Sequence, residues 1–225
     1  MSVVRTQFSV VFGFVLLALW GCSSGPNAPS ISSAKKERWR AQEERACLSS
    51  RVVRNSRFIQ QRSSLGGPGV CGALRPFKMA AANRGRVALK PAALLRCPMV
   101  PQVDRWVSEV VSPAARRYLG SRVVRIKIAS SYSCRRIAGT RKLSEHGHAN
   151  AVDVSRFYLA DGREIRVKSG WNGAWGERRF LRAAHRGGCK YFTTVLGPRY
   201  NRAHRDHFHL DLARHGRKGT FRVCK

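Results

Sequence analysis

The run HRDHFHLDL (204–212) gathers three histidines and two aspartates in a chain otherwise dominated by arginine. In an extended strand, residues two apart share a face. HFHLDL (207–212) then directs His207, His209 and Asp211 to one side and Phe208, Leu210 and Leu212 to a core. The same period in ANAVDVS (149–155) sets Ala151, Asp153 and Ser155 against Val152 and Val154. Two strands of this kind make a sheet that is apolar underneath and rich in metal-capable groups above. In SEHGHANAVD (144–153), His146 stands seven residues before Asp153. A loop histidine and a strand carboxylate so placed can converge on one ion.

Further strands and helices surround these two. Val124, Ile126 and Ile128 alternate with Arg125 and Lys127 in SRVVRIKIASSYS (121–133), the period of a strand. NAVDVSRFYL (150–159) and GREIRVK (162–168) read as a hairpin about Asp161-Gly162, and YFTTVLG (191–197) reads as a later strand. VALKPAALLRCP (87–98) begins as a strand and ends as a helical turn before Pro98, whereas SSLGGPGVCG (63–72) is a loop. Helices are expected over 34–54, over 103–120 and over 176–189. The second places Trp106, Val107, Val110 and Val111 on one face. Pro113 kinks it or opens a new helix, and Gly120 stops it. The third turns Phe180, Leu181 and Ala184 inward. Strands and helices mix without regular alternation, which predicts an α+β fold with a mainly antiparallel sheet flanked by helices.

Lys plus Arg number 43 against 12 acidic residues, a net charge of +31. Arginines run from Arg38 to Arg222 without one dominant block, which suits an anionic polymer or lipid surface. Nucleic acid is not the expected partner, because the chain lacks zinc-finger spacing, an RNP-like aromatic motif and a zipper repeat.

The first residues indicate export. Arg5 precedes the apolar run FSVVFGFVLLALW (8–20), shorter than the roughly 20 residues of a spanning helix and suited to a signal-peptide core. Gly21-Cys22 has the form of a bacterial lipobox with Cys22 lipidated, although the bulky Trp20 leaves cleavage by an ordinary signal peptidase open. Ser23–Ser33 then reads as a flexible tether. The expected division is a signal peptide over 1–22, a tether and leading helix over 23–45, and one domain over 46–225. With Cys22 set aside, Cys47, Cys71, Cys97, Cys134, Cys189 and Cys224 can form three disulfides in an oxidising compartment. Of the many connectivities that six thiols allow, sequence neighbourhood selects Cys47–Cys71, Cys97–Cys134 and Cys189–Cys224.

Two imidazoles and a carboxylate drawn from these runs make a three-ligand set that leaves a position for water, as catalytic zinc sites do. No HExxH helix is present. Taken singly, each of His146, His148 and His204, and still more His185 and His215, reads as an ordinary surface or core residue rather than a ligand.

From about Cys47 onward, the chain resembles the bacterial extensin-like protein family. The stretches that carry the resemblance are ALKPAALLRCP, SPAARRYLGSRVVRI, SSYSCR, KLSEHGHANAVDVSRFYLADGR, FLR, TVLGPRYNRAHRDHFHLDLA and the closing Cys224. That family is in turn distantly similar to zinc D-Ala-D-Ala carboxypeptidases, murein endopeptidases and the hedgehog signalling domain. The resemblance implies a fold of that type and Zn2+ bound by His146, Asp153 and His209. It departs at Ala149, where the peptidases usually carry glycine, and at Gly147-His148, where extensin-like sequences more often have Ala-Arg.

For catalysis, His207 shares the metal side with His209 and is the first candidate for base or oxyanion stabiliser. Asp206 is the alternative, since the carboxypeptidases place a glutamate there, and strand alternation turns it away unless the strand begins later. His204 is a candidate third active-site histidine, and Asp211 a candidate acceptor behind a ligand. Arg135 in SSYSCR resembles the arginine that holds a substrate carboxylate. The expected function is a zinc peptidase or amidase of the D-Ala-D-Ala carboxypeptidase or murein endopeptidase type. It would act on peptidoglycan stem peptides in the periplasm, tethered to a membrane by its lipid. The alternative is a non-catalytic zinc-containing module that binds peptidoglycan or another anionic envelope polymer.

Overall fold

Ile126, Ile128, Val152, Val154, Phe208 and Leu210 are buried at two-residue intervals in three segments. Each segment therefore lays one row of side chains on a common apolar face. The computed structural model describes residues 37–66 and 70–225. The expected signal peptide, the lipidation site Cys22 and the Ser23–Ser33 tether lie outside the described residues. No helix among the described residues is long and apolar enough to cross a membrane.

The described chain opens with helix α1 (Arg38–Ser50), then strands β1 (Ile59–Gln61), β2 (Leu65–Gly66), β3 (Gly72–Ala73), β4 (Phe77–Ala82) and β5 (Val87–Leu95). Helix α2 (Met99–Trp106) continues through a π turn (Val107–Val111) into α3 (Ser112–Leu119), and β6 (Val123–Ser130) follows. A short 3-10 turn (Glu145–His148) leads into β7 (Ala151–Leu159), β8 (Glu164–Arg166), α4 (Val167–Gly170) and α5 (Trp175–Gly188). The chain closes with β9 (Thr194–Leu196), a 3-10 turn (Arg202–His204), β10 (Phe208–Asp211) and β11 (Val223–Cys224). The main sheet has the order β1-β4-β5-β6-β7-β10-β9-β11, with β8 also paired to β7. Only β5–β6 and β9–β11 are parallel among its described pairs. The α+β fold is as expected, with these two parallel pairs in an otherwise antiparallel sheet.

Helices α2, α3 and α5 bury their apolar faces against the sheet. At the centre, the Trp106 indole N–H donates to the Ala184 carbonyl at 2.9 Å. Its ring meets Phe157 and Phe192 edge-on, with centroids 6.3 and 6.2 Å apart. Pro113 does not break the helix. It has no N–H for an i−4 carbonyl, and the preceding π turn, in which the Ser112 N–H reaches the Val107 carbonyl, takes up the change of register. The helix ends where Gly120 adopts φ +66°, as the sequence predicts.

β7 solves a local conflict. Val152 and Val154 face the core, and so do Phe157 and Leu159, which have the opposite parity. The register against β6 steps from Ile128↔Val154 to Lys127↔Arg156, so Ser155 is one residue extra. This β-bulge re-aims the strand. Asp153 thus points away from the helices while the later half of β7 stays anchored beneath them.

Several expectations need correction. Residues 87–95 form one strand through a cis Lys90–Pro91 bond, and no helical turn precedes Pro98. Leu89, Ala93 and Leu95 are buried along it, so packing against the core holds the segment extended. The 63–72 loop contains the small β2–β3 pair. β9 starts only at Thr194, because the Tyr191 and Phe192 N–H groups still bond the Gly188 carbonyl at the end of α5.

Two of the three disulfide pairings also differ. Cys47 pairs with Cys97 and Cys71 with Cys134, while Cys189 pairs with Cys224 as expected. α1 lies along the end of β5, which brings Cys47 beside Cys97, with Cα atoms 5.9 Å apart. The loop after β6 meets the segment before β3, which joins Cys134 to Cys71. Sequence neighbourhood does not register either approach. The second bridge also touches the turn that carries His146, since a Cβ built on Gly147 would stand 3.2 Å from the Cys71 sulfur. Replacing both Cys71 and Cys134 with serine is expected to cost about 2–4 kcal/mol, measured by urea unfolding of the oxidised proteins. No change in midpoint would contradict this bridge.

Candidate metal centre

β7 and β10 pair antiparallel with His209 directly opposite Asp153. The register, rather than either sequence, brings the two side chains together on the face away from the helices. The 3-10 turn supplies the third group. Ser144 caps it, its hydroxyl accepting from the His146 N–H at 3.4 Å, and Ala149 ends it. Ala149 has φ +50°, a left-handed conformation that favours glycine. The backbone keeps the shape expected of a glycine at this position, with an alanine in it.

The three side chains meet tightly. His146 Nε2 is 3.1 Å from Asp153 Oδ2, His209 Nδ1 is 2.9 Å from Asp153 Oδ1, and the two ring nitrogens are 3.2 Å apart. Among the described residues, these three form a cluster able to hold a metal ion. All three are largely shielded from solvent, and His146 is 0% exposed.

The outer partners decide which nitrogen faces inward. The Ser131 carbonyl lies 2.5 Å from His146 Nδ1, so that nitrogen carries the hydrogen and Nε2 presents a lone pair to the centre. Asp211 Oδ2 lies 2.7 Å from His209 Nε2 and leaves Nδ1 as the inward lone pair. Asp211 is itself held by the Ala213 N–H at 2.8 Å. Three donor atoms with fixed orientations therefore converge on one point.

The charges at this point are strongly coupled. Burial opposes a charge on His209, yet bonds to Asp153 and Asp211 outweigh it and push His209 up to about 10. Burial likewise works against the Asp153 carboxylate, but bonds from His146 and His209 hold it well below the usual carboxylate range. A cation bound here has to displace that proton before His209 Nδ1 can present its lone pair, so binding weakens as the pH falls.

Three more expected residues border the centre. β10 begins at Phe208, so Asp206 and His207 lie just outside the strand. His207 Nε2 points inward, 3.7 Å from Asp153 Oδ1, while its Nδ1 bonds Asp206 Oδ1 at 2.8 Å. Asp206 itself is largely exposed and reaches the centre only through His207. His204 follows, its ring centroid 5.3 Å from that of His207 and 5.8 Å from that of His209. Burial first, and then the charges of His209 and His207, push His204 down to about 4. Arg135 is exposed near the same mouth, and its charge contributes to that depression. His148 does not join the cluster, because its Nε2 faces Glu37 Oε2 at 2.9 Å.

A second network behind the turn has no counterpart in the sequence reading. Arg40 of α1 donates to both oxygens of Glu145 at 2.6 and 2.5 Å, and Asn150 Nδ2 donates to Glu145 Oε2 at 2.6 Å. Glu37 joins through Arg40 and His148. α1 is thereby clamped onto the residue that precedes His146. No local motif signals this, since Arg40 and Glu145 are 105 residues apart.

This network has a measurable pH dependence. Burial raises the Glu37 pKa, but His148 and Arg40 overcome it and lower it to about 2 from 4.5. The folded value lies below the unfolded one, so Glu37 contributes stability above pH 4.5 that is lost as the pH falls toward 2. The thermal midpoints of the wild type and Glu37→Gln should therefore differ at pH 6 and converge toward pH 2. A constant gap across that range would contradict the ion pair.

The extensin-like protein C-terminus family matches residues 45–225, from within α1 to the last residue, with all three residues of the candidate metal cluster inside it. The chain belongs to this family. No curated protein matches the chain, and no solved structure does. In this extensin-like chain, the expected ligands His146, Asp153 and His209 and the neighbours His204, Asp206, His207 and Arg135 all fall in the matched region.

Proposed function

We propose that this extensin-like protein is a zinc-dependent peptidase or amidase acting on peptidoglycan stem peptides in the bacterial envelope. It would be exported to the periplasm and lipid-anchored through Cys22. The observation that carries the reading is the Asp206–His207 pair beside a three-donor cluster. A purely structural zinc site fills its coordination with protein ligands and has no use for an oriented histidine at its open side.

The donor set suits zinc, with two imidazole nitrogens and one carboxylate, each imidazole fixed by a partner behind it. A zinc ion held there supplies a Lewis acid for the substrate carbonyl and lowers the pKa of a water molecule. His207 Nε2 is placed to accept a proton from the attacking water and would return it to the leaving amine. Asp206 holds His207 with Nδ1 protonated, so that Nε2 is free to accept. His204 borders the same space, and Arg135 grips a substrate carboxylate through two parallel bonds. Stem peptides carry such carboxylates, and the net charge of +31 attracts them.

The test is digestion of purified muropeptides by zinc-loaded protein, with and without chelator, read by mass spectrometry. Loss of residues from the stem peptide without chelator, and none with it, is expected. Identical profiles in the two samples would overturn hydrolysis.

A further inference from the structure

The outer face of α5 carries an arginine array that the metal centre does not use. Trp175, Arg179, Arg182 and Arg186 recur at i, i+4, i+7 and i+11, one stripe of the helix, and Arg178 flanks it. The opposite face, with Phe180, Leu181, Ala184 and Gly188, is buried in the core. Arg199, from the segment after β9, joins the group. Burial, and then the charges of Arg199, Arg178, Arg186 and Arg179, push the pKa of Arg182 down. Unlike Arg40, Arg156, Arg163 and Arg214, none of these five arginines has a carboxylate in ion-pair range among the described residues. The Nε of Arg182 is buried without a hydrogen-bond partner, and its guanidinium stands 5.9 Å from the centroid of the Trp171 ring. Two aromatic rings border the array. Trp175 is 58% exposed and Tyr200 is 44% exposed.

The geometry points to α5 as a docking face for a bilayer that carries anionic lipid headgroups. The array lies along the convex outer side of a helix, and neither of the two main cavities is lined by it. A polymer threaded into a groove would require concave walls, whereas a flat lipid surface suits a stripe of guanidinium groups along one helix face. An exposed Trp and Tyr beside basic residues is the composition found at the headgroup level of membranes. Tyr200 also touches His204, their ring centroids 5.4 Å apart. This surface stands whether or not the centre is catalytic.

The test compares full-length protein with two quadruple variants of equal net charge. One is Arg178→Gln, Arg179→Gln, Arg186→Gln and Arg199→Gln, which spares the half-buried Arg182. The other changes the scattered exposed residues Arg54, Arg62, Arg141 and Arg217 to Gln. Circular dichroism and thermal unfolding verify that each folds. The lipid anchor proposed at Cys22 is common to all three, so its contribution cancels. Sedimentation with phosphatidylglycerol-containing vesicles should show binding that weakens with salt. The α5 variant should lose about a hundredfold in partitioning, and the scattered variant far less. Equal loss in both variants would overturn the proposal, as would equal binding to pure phosphatidylcholine. Capture of soluble polyphosphate without vesicle binding would overturn it in favour of a dissolved polyanion.

Discussion

Replacing His207 with alanine is expected to lower turnover of muropeptides by about 10²–10⁴-fold while zinc content stays at the wild-type level. The separation of the two readouts follows from the geometry. His207 Nε2 is 3.7 Å from Asp153 Oδ1, whereas the cluster distances among His146, Asp153 and His209 run from 2.9 to 3.2 Å. His207 therefore stands beside the cluster and is not part of it. Asp206→Asn should have a smaller effect, because the amide still approaches Nδ1 but favours the wrong tautomer. Its imprint belongs in the pH profile of turnover, and only then in the plateau rate. If His207→Ala strips the zinc, His207 is a ligand and the assignment of roles is wrong. If turnover is unchanged, proton transfer belongs elsewhere.

A graded pair of substitutions carries the second large effect. Asp153→Ala removes one of three converging donors and leaves His146 Nε2 and His209 Nδ1 facing a gap, so zinc binding should be lost altogether. Asp211→Asn leaves all three donors in place but changes the partner that fixes His209 Nε2. The expected result is a tenfold to hundredfold weaker affinity, about the range for a partner behind a metal ligand. Titration of metal-stripped protein with zinc, followed by a competing chelator dye, distinguishes the two. Equal losses in both variants would mean that Asp211 also coordinates.

The candidate metal cluster was legible because the period-two rule places His209 and Asp211 together on one strand and isolates Asp153 from Val152 and Val154 on another. The register that sets His209 opposite Asp153 is a property of the pairing, which no single strand encodes. Asp206 shows the limit of the rule. Alternation turns it away only if the strand reaches it, and β10 starts two residues later. The 87–98 segment departs from expectation because proline ordinarily ends a strand, while the burial of Ala93 and Leu95 carries this one past Pro91. The cysteine pairs and the Arg40–Glu145 clamp depend on how α1 lies across the domain, a tertiary fact without a local signature. The Ser131 carbonyl that orients His146 belongs to the backbone, and any residue at that position would supply it.

The most direct test of the central claim is zinc stoichiometry. Protein stripped with chelator, reloaded with zinc and desalted should retain about one zinc per chain, with none retained by Asp153→Ala. A wild-type value below about a tenth of a zinc per chain, or equal retention by the variant, would contradict a metal centre at His146, Asp153 and His209.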